Sequence, residues 1–188
     1  MKWLVLSAAV VCGAMALPAG AAKTASLLPA IYTAPGELDM LLKSGHIQGM
    51  ACSTQAIYLA HCEGIVKLDW RTGRVLAKVA APTHLGDICC HDGRIYGAFG
   101  HWRGTERAPV SEIRVWDEAL TPLKTVDCSA PGVRGVDGIT VWQGELWTGL
   151  DNHAWRGQWD HPPHDYADFA RFRLPELQPL GTRRLQLG

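Results

Sequence analysis

Two histidines, His46 and His84, open stretches of the chain that match one another in spacing. Gln48, Gly86 and Asp137 then stand at one equivalent depth in three such stretches, and Gly49, Asp87 and Gly138 stand at the next. An amide, carboxylates and imidazoles at one end of neighbouring elements could converge on a ligand. They could equally cap strand ends around a water-filled channel, or surround a central metal ion. A longer segment carries His153, His161, His164 and Asp165. His161-x-x-His164-Asp165 has nitrogen and oxygen donors suited to zinc or another divalent ion. Pro162-Pro163 stiffens that stretch in an extended form, so it reads as an exposed polar loop and no metal ligand is assigned. Trp102, Trp155 and Trp159 lie beside Arg103, Arg107 and Arg156. Indoles next to guanidinium groups suit stacking on a sugar, a planar ring or a partner surface, or packing a loop onto the body of the fold. The candidate ligand-binding residues are therefore His46, Gln48, His84, Asp87, Asp137, Trp102, His153 and Trp155.

Covalent chemistry finds little support. The chain has no G-x-S-x-G elbow, no G-x-G-x-x-G between strand and helix, and no phosphate-loop lysine motif. Paired carboxylates would have to come from Asp87, Asp137, Asp151, Asp165 or Asp168, and no catalytic residue or cofactor is assigned. Beyond Cys12 the cysteines are Cys52, Cys62, Cys89, Cys90 and Cys128, with no C-x-x-C. An odd number leaves at least one thiol over even in an oxidising compartment. Cys52 and Cys90 recur at matching positions and are expected to be small core-facing residues. A Cys52–Cys62 bridge within one hairpin is disfavoured by its register.

These residues must be held by repeating elements. His46 to Leu59, His84 to Gly97 and Gly135 to Thr148 align without gaps. Each reads as two short strands around a polar turn, at Ser53-Thr54-Gln55, His91-Asp92-Gly93 and Gln143-Gly144. A second half-repeat follows, in which Val66 to Val79 matches Ile113 to Val126, and Phe169 to Gly181 is looser. Four antiparallel strands recurring about every 40 to 50 residues indicate a β-propeller. The expected fold is thus all-β, with about three four-stranded blades over 46–83, 84–134 and 135–188. An ordinary antiparallel sandwich is the alternative. In such blades the links between second and third strands share a face with the starts of the first strands. The inserts Gly100 to Ser111 and Asp151 to Asp168 should therefore meet His46, His84 and Gly135 on that face.

One family shares these hairpins. Gln48-Gly49-Met50, Ile57-Tyr58, and Leu68-Asp69 through Arg71-Thr72-Gly73-Arg74-Val75-Leu76 resemble the opening blade of glutaminyl cyclotransferase-type propellers. That family has T-Q-G-L, a strand ending in tyrosine, and a V-D-x-x-T-G-x-V-L hairpin. His84 to Tyr96 and Val136 to Ile139 look like its second and third blades, and quinoprotein-like propellers share such hairpins too. The resemblance implies a propeller across roughly Leu42 to Leu180. It does not carry the activity. The family's acid just after the first-blade tyrosine is replaced by Leu59-Ala60, and its later blades are absent.

Charge and length frame the function. The 188 residues hold 18 basic and 18 acidic side chains, for a net charge of zero. That balance argues against a nucleic-acid or acidic-membrane binder, since both need a positive field. Met1-Lys2-Trp3, the apolar run Leu4 to Leu17 and the small residues Ala19 to Ala22 form a secretory signal pattern. The run is shorter than the roughly 20 residues of a membrane span. Residues 1–22 are expected to be cleaved, leaving a secreted or periplasmic protein with no membrane contact. Residues 23–45 form a lead-in, in which Ala30-Ile31-Tyr32-Thr33 could add a closing strand. Known propellers have about 4 to 8 blades, so three leave an open edge. The chain is then a fragment, or a homo-oligomer that completes a ring. The favoured function is a module binding a small-molecule, sugar or protein ligand through loops on one face. The alternatives are a degenerate cyclotransferase-like or hydrolytic enzyme, and a truncated propeller without independent activity.

Overall fold

The computed structural model describes residues 47–81, 84–101, 110–128, 136–150 and 166–186. Twelve strands account for nearly all of them, in three four-stranded antiparallel sheets. Blade 1 comprises β1 (Ile47–Cys52), β2 (Ala56–His61), β3 (Gly64–Asp69) and β4 (Val75–Ala80). Blade 2 comprises β5 (Leu85–His91), β6 (Arg94–His101), β7 (Val110–Asp117) and β8 (Pro122–Asp127). Blade 3 comprises β9 (Val136–Trp142), β10 (Glu145–Leu150), β11 (Tyr166–Arg173) and β12 (Gln178–Gln186). Each sheet is a meander in sequence order, with the first strands β1, β5 and β9 adjacent to one another. The propeller-type, all-β reading of the sequence therefore stands.

Turn chemistry sets the hairpins. Asp92 and Gly93 have φ of 46° and 70°, and Gln143 and Gly144 have 51° and 76°. Positive φ at both central residues is the two-residue turn whose twist suits a hairpin, and glycine adopts it without Cβ strain. In blade 1, Asp69 Oδ1 accepts from the Arg71 and Thr72 amides at 3.0 and 2.7 Å. In blade 2, Asp117 Oδ1 accepts from the Thr121 amide at 2.8 Å. These carboxylates locate the outer turns and correct the alignment of the second half-repeat. Strand pairing sets Ala60 opposite Ile65, Ala98 opposite Ile113 and Gly149 opposite Phe169. The equivalent of Ile113 is thus Ile65, one residue before the Val66 expected from sequence. Side chains alternate faces along a strand, so that single step decides which of them reaches the core.

Two apolar seams hold the blades together. Ala51, Tyr58 and Ile65 of blade 1 pack against Ile88, Phe99 and Trp116 of blade 2. Tyr96, Ile113 and Val115 of blade 2 pack against Ile139, Leu146 and Phe172 of blade 3. Each large side chain removed from water in a seam contributes roughly 1.5–3 kcal/mol. Side-chain donors of the earlier blade reach the outer turn of the later blade across both seams. The Tyr58 hydroxyl and Lys67 Nζ both donate to the Glu118 carbonyl in the blade 2 turn, at 3.1 and 2.7 Å. Arg94 Nη1 and Lys124 Nζ donate to the Pro175 and Glu176 carbonyls in the blade 3 turn, at 3.4 and 2.5 Å.

All five cysteines Cys52, Cys62, Cys89, Cys90 and Cys128 are thiols. Cys90 is half-buried and packs on the first seam, as expected. Cys52 is exposed instead of core-facing. It pairs with Ile57, on the face of blade 1 turned away from blade 2, where no described blade precedes it. Burial pushes the Cys90 thiol up to about 11 and Cys128 up to about 12, so neither is a reactive thiolate near neutrality.

Candidate ligand-binding rim

Gln48 and His84 sit on neighbouring blades at the end where β1 and β5 begin. The Gln48 side-chain Nε2 donates to Cys62 Sγ at 3.1 Å and lies 3.0 Å from His84 Nε2. An amide nitrogen only donates, so this bond requires the tautomer in which the imidazole accepts through Nε2. Cys62 was not foreseen as a partner of Gln48. The signal was the short β2–β3 link, which places Cys62 on the same side as the strand starts.

Asp87 has a different role from its neighbours. Its Oδ1 accepts from the Ile88 amide at 2.8 Å, and its Oδ2 accepts from the Ile139 amide of blade 3 at 3.4 Å. The carboxylate also occupies the space above Gly49 of blade 1, where any side chain on residue 49 would collide with it. One acid therefore spans the inner strands of all three blades. Burial pushes its pKa above the ordinary carboxylate value, and the two amide bonds only partly offset this. Asp137 repeats the packing one blade on, with its backbone over Gly86. A Cβ on residue 86 would lie 2.8 Å from the Asp137 carbonyl oxygen. The Asp137 side chain is exposed at the rim.

The inner strands thus bring Gln48, His84, Asp87 and Asp137 into one row, in the order of the blades. His46, Trp102, His153 and Trp155 lie outside the described residues, as do Trp159, His161, His164 and Asp165. Residues 1–46, including the signal pattern and lead-in, lie outside them too. Among the described residues no group of three His, Cys, Asp or Glu side chains is placed to hold a metal ion. Among the same residues no helix is long and apolar enough to cross a membrane.

No family model matches the chain, and no curated protein matches it. Solved structures do. A chain of the hydrazine synthase of Kuenenia stuttgartiensis superposes with a TM-score of 0.55 at 11% identity, over 75% of this chain and 38% of that one. A chain of a nidogen/laminin complex gives a TM-score of 0.46 at 14% identity, over 76% of this chain and 48% of that one. The fold is that of a partial propeller. At such identities the likeness extends to the fold alone and does not reach the glutaminyl cyclotransferase family. The chain spans less than half the length of either of these structures.

Proposed function

We propose that this partial propeller is an exported binding module whose ligand contacts the rim formed by Gln48, His84 and Asp137. The observation that supports this most is the Gln48–His84 pair, 3.0 Å apart and contributed by different blades, at the end of the inner strands where the exposed Asp137 of blade 3 also stands. A donor, an acceptor and an anion at the mouth of a rigid scaffold suit a polyhydroxylated or peptide-like ligand, which offers matching hydroxyls and amides. The Trp-bearing inserts would add stacking surfaces at the same mouth. Export rests on the apolar segment Leu4 to Leu17.

Isothermal titration against panels of neutral sugars and short peptides tests the proposal. One class should bind, and Gln48→Ala or His84→Ala should each weaken that binding about tenfold, the effect of losing one or two hydrogen bonds. Binding by neither class, or binding indifferent to both substitutions, overturns it. The enzyme alternative gains nothing from the rim. Asp87, its best acid, is engaged through both oxygens by backbone amides and acts as a link between blades.

A further inference from the structure

The outward faces of blades 1 and 3 carry the marks of an interrupted seam. Within the chain, Leu85 and Val136 begin β5 and β9 and are fully buried (0% exposed) against the preceding blade. Their counterpart Ile47 is 47% exposed. Ile88 and Ile139 are 2% and 5% exposed, whereas their counterpart Met50 is 58% exposed. Val66 and Leu68, on β3, are already buried, so the open part of this face is its inner strand. That is the strand through which β5 and β9 contact their predecessors.

Blade 3 shows the complementary face. Trp147 is the counterpart of Tyr58 and Tyr96, and Arg171 pairs with it across β10 and β11 as Lys67 pairs with Tyr58. Tyr58 and Lys67 share the Glu118 carbonyl of the next blade. Arg171 Nη1 reaches Glu145 at 3.4 Å, but among the described residues Trp147 Nε1 and Arg171 Nε are buried donors with no acceptor. Buried donors without partners are costly, at roughly 1–3 kcal/mol each. Beside them Trp142 stands 55% exposed, edge-on to Trp147. Among the described residues nothing lies within 4 Å of the Gly138 Cβ direction, whereas its counterpart Gly49 is covered by the next blade's Asp87.

From these matched gaps we infer that blade 3 docks blade 1 of a second copy of this chain, head to tail. The Trp70 carbonyl, one residue after Asp69 as Glu118 follows Asp117, then receives Trp147 Nε1–H and Arg171 Nε–H. Gly49 of the second copy lies over Gly138, and its Gln48 lies beside Asp137. Two copies of the three sheets supply six blades, inside the range of about 4 to 8 that closes a ring. Both open faces of the described blades are then used twice. The inference stands on the seams and does not depend on the rim binding a ligand.

Sedimentation equilibrium of the purified chain at tens of micromolar tests it. The expected species is a dimer. Met50→Asp and Trp142→Asp place a charge in the predicted seam from opposite sides, and each should weaken the dimer at least about tenfold. Both sites are exposed in the single chain, so far-UV circular dichroism should be unchanged. Leu123→Asp, on the exposed outer strand β8, should leave the dimer intact. A wild-type monomer overturns the inference, as does an open polymer. A dimer sensitive to only one of the two seam substitutions also overturns it, because that pattern belongs to pairing of like faces.

Discussion

Asp87 concentrates the local physics of this molecule in one carboxylate. Its pKa is raised in the fold chiefly by burial. A raised folded value means that the native state holds its proton at pH where the unfolded state has lost it. Asp87 therefore opposes folding above its folded pKa. That cost is relieved as pH falls through the folded value towards the ordinary carboxylate range. Asp87→Asn removes the titration and keeps an acceptor for the Ile88 or Ile139 amide. The melting temperature of wild type relative to Asp87→Asn should accordingly rise as pH is lowered from neutrality towards about 4, the carboxylate reference value. Differential scanning calorimetry across that window checks this, and a constant difference would refute the role. The depth of Gln48, Asp87 and Asp137 was legible from the repeat, because equivalent positions in adjacent blades become spatial neighbours. That Asp87 turns inward to Ile139 was not legible, since it depends on the space left by Gly49.

At the scale of strands, the hairpins were readable because Asp92-Gly93 and Gln143-Gly144 announce their turns. The outer turns were harder. Leu120 and Leu177 both take positive φ, 68° and 58°, with side chains buried in the seams. No composition rule points to leucine there, and an L-residue in this region costs roughly 1–2 kcal/mol. The burial of the leucyl side chain offsets that cost. Leu120→Ala should keep the strain and lose the packing, destabilising the chain by about 2 to 4 kcal/mol in urea unfolding. Close approach of the inner strands makes the other demand. Gly86→Ala drives a Cβ to 2.8 Å from the Asp137 carbonyl and 3.0 Å from its Cα, both backbone atoms. We expect a loss of about 1 to 3 kcal/mol, the usual effect of overpacking. A neutral outcome would mean that the strands can part without cost. The one-residue error in aligning Val66 with Ile113 has the same origin. Identity of residue type cannot fix register, whereas the turn carboxylates Asp69 and Asp117 can.

For the whole molecule, the number of blades governs behaviour. Three sheets and their two internal seams leave inner-strand apolar surface open at one end and aromatic surface at the other. If a second copy covers both, folding and association are linked. The melting temperature should then rise with protein concentration, because only the folded chain binds its partner. A scan from about 1 to 100 μM spans a hundredfold change and about 2.7 kcal/mol of mass action. A midpoint independent of concentration would argue for a self-sufficient monomer.

The Tyr58 and Lys67 bonds to the Glu118 carbonyl have a wider consequence. At the outer turns the side-chain donors Tyr58, Lys67, Arg94 and Lys124 all reach towards the later blade, whose turn carbonyls receive them, whereas on the inner strands the Leu85 and Ile139 amides donate back to the Cys62 carbonyl and to Asp87 of the earlier blade. The row of blades therefore has a polarity, like a filament with distinct ends. At the outer turns, a blade added after Trp147 must bring carbonyls, and a blade added before Met50 must bring side-chain N–H or O–H groups. Any polypeptide grafted to extend this protein would have to obey that grammar, whatever its sequence.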